Sequence, residues 1–453
     1  MKKTLNTHST RGTVWFRWSM VILLITGLPT IADADMEEVL SMFQVYAVVD
    51  ETYDTNVNLT PRNEQDDFIT TFSLGVRFST LPKSETTGEF QQPAATEETK
   101  YGMSLDFLPG YVIYAENTND NYLSLFGSLD AWYTWGRNLT FRVTDSLVRS
   151  QEPLEQDYAA GALPGQILLG NPIGRPIYIR NVLQPSLEYR FEREDLIAIS
   201  YMNNVYRNES SFYEDSNENY INPRFVYWFD VRNGISGEYS LDLGSFETSP
   251  DMTGNLASGR YTYRFNPRTS IFGDYAVVYR DFAENAQGVI DYNIQAPSVG
   301  LQYAFTPTLS LGAQLGYFWQ IPKQGSNESG PLYNIVLTQQ SERTTYTLGV
   351  QGGYTEDYFT AENLGFAKYH QAIGAITHQL TQRTSATLSA RYQRPDYNDG
   401  RVDNIWGVGG NASYQMLRWL NLALDLAYAE DDSNRNVNDY TDFRTMFQIR
   451  ASY

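Results

Sequence analysis

Side chains that commonly carry acid–base and nucleophilic chemistry are scarce in this chain, which has 453 residues, three histidines and no cysteine. His8 lies in an N-terminal segment read below as removed, and His378 stands just before a tight turn. His370 with Asp357 or Glu362 is the one constellation that could move a proton, and it lacks an evident nucleophile. The missing cysteines also exclude disulfide scaffolds, iron–sulfur clusters and cysteine-ligated zinc. Paired acids such as Glu356-Asp357 and Asp431-Asp432 match no calcium-loop spacing, and no phosphate loop or dinucleotide motif opens a helix after a strand. The expectation is a protein that is not an enzyme and holds no metal and no cofactor.

Charged residues at alternate positions offer another kind of chemistry. Arg224, then Glu238 and Asp242, then Arg260 and Arg264, then Asp274 and Arg280 fall on the polar faces of four consecutive segments, so opposite charges face one another between neighbours. Such residues can pair across strands to fill a lumen and fix register. They can also form a charged constriction that orders polar solutes, because rings of charge set selectivity in channels. The chain as a whole carries −20, with the acid excess in its loops, which argues against a nucleic-acid partner.

The elements that position these charges repeat with a period of two. From Thr308 to Gln320 the odd positions are Leu309, Leu311, Ala313, Leu315, Tyr317 and Trp319, and the even ones are small or polar. Leu420, Leu422, Leu424, Leu426 and Tyr428 repeat the pattern, as do Leu123, Leu125, Leu129, Tyr133 and Trp135. These are half-buried strands. They are longer than the ~5 to 6 residues usual in soluble sheets, and long enough for the ~9 to 11 residues a tilted membrane strand needs. Phe191, Phe229, Phe265, Phe305, Arg343, Leu380 and Met416 recur every 36 to 40 residues at tight turns, so one period is one hairpin. Two long strands per period fit an up-and-down barrel better than the four short strands of a propeller blade.

Short turns such as Asn266-Pro267-Arg268 and Thr306-Pro307-Thr308 alternate with longer acidic loops, expected over Asn208–Asn219, Thr355–Asn363, Arg394–Asn404 and Glu430–Asp442. Short turns on one rim and long loops on the other are the pattern of outer-membrane barrels. The fold expected is therefore all-β, a transmembrane antiparallel up-and-down β-barrel of about 20 strands, or 18 if Ala34–Tyr53 or the Leu81 region is misread. Leu81–Glu98, rich in Thr, Glu and Pro, falls on the periplasmic side of this count.

Both termini support export to the outer membrane. Lys2, Lys3, Arg11 and Arg17 precede an apolar run, Met20–Leu28, and Ala32-Asp33-Ala34 follows, so residues 1–34 read as a signal peptide cleaved after Ala34, with the barrel in 35–453. At the other end Phe443, Thr445, Phe447, Ile449, Ala451 and Tyr453 share one face. This resembles the closing strand by which bacterial outer-membrane barrels are recognised for insertion, with Phe447, Ile449 and the terminal aromatic Tyr453 matching and Ala451 departing.

Val48-Val49-Asp50-Glu51-Thr52-Tyr53-Asp54-Thr55-Asn56-Val57, then Asp66-Asp67-Phe68-Ile69-Thr70-Thr71, and the recurring Pro-Ser…Tyr-x-Phe hairpins resemble the outer-membrane beta-barrel porin family often found beside exopolysaccharide export systems. The resemblance spans the mature chain and implies a porin-like barrel in a Gram-negative outer membrane. It fixes no substrate and carries over no functional residue. The expected function is passive passage of polar solutes or export of polysaccharide. The alternative is a non-conducting surface protein whose acidic loops mediate adhesion or matrix binding. Partners follow from these readings: outer-membrane lipid and lipopolysaccharide, the barrel assembly machinery, and small polar solutes or polysaccharide.

Two further features bear on the lumen. Gln151–Tyr178 is the longest candidate extracellular loop, and its apolar, glycine-rich middle is expected to fold inward as a constriction through Leu163, Pro164, Ile167 and Leu168, or to cover the mouth as a lid. Tyr133, Trp135, Trp319, Trp406, Trp419, Tyr239, Tyr279 and Tyr428 sit where interfacial girdles belong. Trp132, Trp228, Phe318 and Tyr114 are instead in lumen register, where they pack or stack on sugar rings.

Overall fold

Alternation along strands this long leaves one face apolar and the other polar, and the arrangement that buries every backbone edge while keeping those faces apart is a closed barrel. The computed structural model describes residues 36–81, 100–152, 175–210, 212–283, 290–360 and 362–453. Met36–Ser41 form a short helix, α1, in an N-terminal unit that ends at Phe43.

Twenty strands follow. They are β1 (Phe43–Asp54), β2 (Asp67–Ser79), β3 (Tyr101–Tyr114), β4 (Tyr122–Trp135), β5 (Leu139–Ser150), β6 (Tyr178–Arg190) and β7 (Leu196–Asn208). Next come β8 (Ser216–Trp228), β9 (Asn233–Phe246), β10 (Met252–Asn266), β11 (Thr269–Phe282), β12 (Tyr292–Thr306), β13 (Leu309–Pro322) and β14 (Glu328–Gln340). The set ends with β15 (Thr344–Asp357), β16 (Gly365–Thr381), β17 (Thr384–Tyr397), β18 (Asp403–Leu417), β19 (Leu420–Ser433) and β20 (Tyr440–Ser452). Each pairs antiparallel with its sequence neighbours, and β1 pairs with β20 from Tyr46↔Ser452 to Asp54↔Arg444, which closes the sheet. The 20-strand count thus holds over the 18-strand alternative, and the end of β2 and the start of β3 lie on the short-turn rim.

The outer wall shows where lipid belongs. Outward residues such as Val299 and Leu348 are 65% and 60% exposed, and Leu74, Ile197 and Leu388 share their orientation. Apolar exposure that continuous suits hydrocarbon. Each edge of this belt carries aromatic residues. At the short-turn rim, pairs two residues apart pack on one another: Tyr189 with Phe191, Tyr227 with Phe229, Tyr263 with Phe265 and Tyr303 with Phe305, at centroid distances of 6.3, 5.1, 4.8 and 4.7 Å. This is the structural meaning of the recurring Tyr-x-Phe.

At the loop rim, tyrosine hydroxyls reach outward-facing polar groups on the same or the next strand. Tyr201 bonds Asn219, Tyr239 Asn255, Tyr275 Gln295, Tyr317 Ser329, Tyr392 Asn404 and Tyr428 Glu430, all between 2.6 and 3.2 Å. Apolar ring below and paired hydroxyl above is the arrangement an amphipathic side chain adopts at a headgroup layer.

Strands run past this layer, so the acidic loops are shorter than the sequence suggests. The four expected segments contract to 209–215, 358–364, 398–402 and 434–439. The residues assigned to loops continue the ladder as polar strand ends, and the Asn204 side chain, for example, donates to Glu218 at 2.9 Å inside the barrel.

Candidate functional site

The lumen collects the inward face of every strand, and its two halves differ. Toward the short turns the inward groups are small or polar and border a cavity of about 1020 Å³ with Arg232, Arg264, Ser270, Gln302, Ser310 and Thr338 in its wall. Higher up, a cavity of about 390 Å³ is lined by Arg224, Glu238, Ser258, Arg260, Asp274 and Gln314.

Toward the loops the interior is packed. Val278, Tyr292, Ile294, Ala296, Phe318 and Phe366 form a buried cluster, with Leu256, Phe282, Leu332 and Tyr354 against it. An apolar core inside the wall on β10–β16 is not what a wide, water-filled bore would carry. Tyr114 and Trp132 are likewise buried in lumen register, whereas Trp228 lies beneath the Arg264 guanidinium, 3.5 Å from a ring centroid.

The seven charged candidates occupy three levels. Arg264 lies lowest and binds Glu194 at 2.6 Å. The middle level holds Arg224, Glu238, Arg260 and Asp274. Arg260 and Asp274 face each other in register and make two parallel bonds of 2.6 and 2.8 Å, with Gln314 adding a third to the carboxylate at 3.2 Å. Arg224 and Glu238 also face each other, but Arg224 binds Glu188 at 3.2 Å and Glu238 accepts from Ser258. Asp242 and Arg280 stand at the loop end, where Arg280 forks onto Glu356 at 3.1 and 2.8 Å. That last pair links β11 to β15, a chord over the three strands between them that adjacency alone would not suggest.

Several loops fold inward, Leu59 of the β1–β2 connection among them, and two bear on the charged groups. Segment 358–364, between β15 and β16, stacks Phe359 on Phe246 of β9 at 5.4 Å. It joins the Tyr358 hydroxyl to that of Tyr292 at 2.7 Å, and places Glu362 3.3 Å from Arg401. Burial pushes the Glu362 carboxyl up to about 7, against the pull of Arg401. This inward loop was not foreseen; the aromatic pair Tyr358-Phe359 inside an acidic stretch was its only local signal.

The second inward element is the base of the loop after β5. Leu163, Pro164, Ile167 and Leu168 lie outside the described residues, but both ends of the loop are tied into the barrel interior. Glu152 accepts from Arg444 at 2.7 Å, and Arg175 spans Asp54 at 2.6 Å and Asp442 at 2.9 Å. The base of a loop from β5 and β6 therefore anchors to the seam strands β1 and β20. Arg175 was missed in sequence because nothing local distinguishes it from a solvated loop arginine.

The catalytic constellation considered first is not assembled. The ring of His370 bonds the Tyr333 hydroxyl at 2.8 Å on the outer wall, while Asp357 accepts from Thr360 and Glu362 pairs with Arg401. No group of three or more His, Asp or Glu converges as a metal site among the described residues. At the C-terminus, Phe447 and Ile449 face outward into the apolar belt, and Tyr453 exchanges backbone hydrogen bonds with Val45 at 2.8 and 3.2 Å.

A closed antiparallel barrel with an apolar belt, two aromatic edges and charged, polar groups on much of its inward face is an outer-membrane-type barrel. Residues 248–453 match the family described as "Putative beta-barrel porin 2". The matched stretch holds β10–β20, so the opening residues Val48–Val57 lie outside it. Among solved structures, the FrpB iron transporter from Neisseria meningitidis is similar with a TM-score of 0.54 and 8% identity, over 90% of this chain and 82% of that one. Acinetobacter baumannii OccAB4 shares 13% identity over 91% of this chain and 98% of its own, with a TM-score of 0.43. For the Pseudomonas aeruginosa outer membrane protein opdK the values are 11%, 91%, 99% and 0.41. No curated protein sequence matches the chain significantly. The FrpB likeness is one of fold alone, and the count of 20 strands is this chain's own.

Proposed function

We propose that the protein is a porin-like channel of the outer membrane for passive passage of polar solutes. The supporting observation is the charged middle level of the lumen. Arg260 and Asp274 are paired yet border a cavity of about 390 Å³, so a passing solute meets both signs of charge at one height. Single-channel recording in a planar bilayer tests this. The purified protein is expected to give stable conductance steps, and Asp274→Asn and Arg260→Gln are expected to shift the reversal potential in a salt gradient in opposite directions, toward anions and toward cations. No conductance would overturn the channel reading.

The packed loop half supports the second reading, a non-conducting surface protein whose acidic loops bind matrix or another cell. A silent bilayer would favour it. Export of polysaccharide belongs to the first reading and needs the same open path. On either reading Phe447, Ile449 and Tyr453 serve as the insertion signal read by the barrel assembly machinery.

A further inference from the structure

Where the inward loop 358–364 meets the wall, a cavity of about 470 Å³ opens at the loop rim, within the size range of small-molecule sites. Five aromatic residues line it: Phe246, Phe282, Tyr292, Tyr358 and Phe366. Four amide side chains join them, Gln320, Gln324, Asn363 and Asn398, and none makes a side-chain hydrogen bond to a described residue. Gln320 is the telling one. It is 3% exposed, and an amide held this deep without a protein partner is costly unless something in the cavity pairs it. An amide left this way inside a lined cavity is a group waiting for a ligand's donors and acceptors.

The charges beside the cavity are already taken. Glu328 binds Lys368 at 2.8 Å and Asp399 binds Arg435 at 2.8 Å. The Tyr292 hydroxyl is engaged by both Glu356 and Tyr358. Among the described residues, what remains available is aromatic surface and unpaired amides, with no free ion lining the cavity to pair a charged solute.

We propose that this cavity binds a neutral saccharide. A sugar ring presents an apolar C–H face that packs on aromatic rings, and a rim of hydroxyls that both donate to and accept from amides. A carboxylate or ammonium solute would be desolvated there without a countercharge. The inference rests on the channel reading in taking the lumen as a solute path, and names the class of solute the outer mouth selects.

Titration calorimetry on the full-length protein, folded in detergent, tests it with neutral trisaccharides (maltotriose, cellotriose, N,N′,N″-triacetylchitotriose) against trigalacturonate and deacetylated chitotriose. At least one neutral trisaccharide is expected to bind at least tenfold more tightly than both charged ones. Gln320→Leu and Phe282→Ala are each expected to weaken that binding at least tenfold, with heat-modifiable gel mobility reporting that the barrels are folded. Failure of every neutral trisaccharide to bind at millimolar concentration, equal binding of the charged ones, or unchanged binding in both folded variants would overturn the inference. A barrel that conducts but binds none of them sinks this inference alone. One that binds but stays silent in a bilayer sinks the channel reading instead.

Discussion

At the level of single residues, the lumen is governed by which charges find partners and how deeply each is held. Glu362 illustrates this. Its carboxyl titrates near 7 when folded, against an ordinary glutamate value near 4.5, because burial outweighs the attraction of Arg401. Asp357 and Asp403 lie near enough to push in the same direction. A raised folded pKa means that the docked loop is favoured with Glu362 protonated. That contribution is complete below about 4.5 and is lost as pH climbs through 7. Segment 358–364 is therefore expected to hold more tightly at pH 5 than at pH 8. Channel noise and mean conductance should rise between these values, and the rise should flatten in Glu362→Gln. A wild-type trace with no pH response over this range would contradict it.

At the level of elements, ion pairs between residues far apart in sequence pin the loop after β5 to the seam. Arg175, Asp54 and Asp442 are all nearly inaccessible, with side-chain exposures of 2%, 0% and 2%. Removing Arg175 leaves the buried Asp442 without its ion-pair partner, while Asp54 keeps Arg444 at 3.2 Å, and an uncompensated buried charge costs more than the pair contributes. Arg175→Ala is expected to destabilise the barrel by about 3 to 5 kcal/mol. The triple variant Arg175→Met with Asp54→Asn and Asp442→Asn should recover most of that loss. Urea unfolding in lipid vesicles, followed by tryptophan fluorescence, reads both. Equal losses in the single and triple variants would show that the loop base, not the charges, carries the stability.

This network also marks where sequence reading ends. Alternation at Leu309–Gln320 reports correctly which side of β13 faces out, because a strand's side chains switch faces at every residue. The Asn266-Pro267 turn and its relatives set the order of strands for the same local reason. Arg175 and Asp54 are 121 residues apart, and Arg280 and Glu356 are 76 apart. Nothing in a period of two encodes a chord across the lumen. Arg224 and Glu238 show a milder form of this limit. They face each other in register, yet the guanidinium reaches diagonally to Glu188, since long side chains choose among several neighbours at similar range. The acidic loops were read as too long because polar strand ends beyond the lipid belt look like loop in sequence.

For the whole molecule, the barrel must present lipid-compatible surface outward and tolerate polar or charged groups inward, and both requirements meet on single strands. On β15, Leu348 faces out and stands opposite the outward Leu337, while Thr347 faces the lumen opposite Thr338, a residue in the wall of the short-turn cavity. The two positions are one residue apart and at the same height, so a charge placed at each compares the two sides of the wall at constant depth. An arginine at Leu348 must lose its hydration in hydrocarbon, which costs about 2 to 4 kcal/mol near the midplane. At Thr347 the same guanidinium reaches the cavity and keeps its water, so its effect should stay within about 0.5 kcal/mol. Leu348→Arg is thus expected to lower the unfolding free energy in vesicles and to slow insertion, and Thr347→Arg to do neither while shifting ion selectivity toward anions. In detergent that wets the outer wall the gap between the two variants should shrink. If both variants cost the same in vesicles, the belt around Leu348 is not in contact with lipid, and the membrane-spanning orientation of the barrel would have to be abandoned.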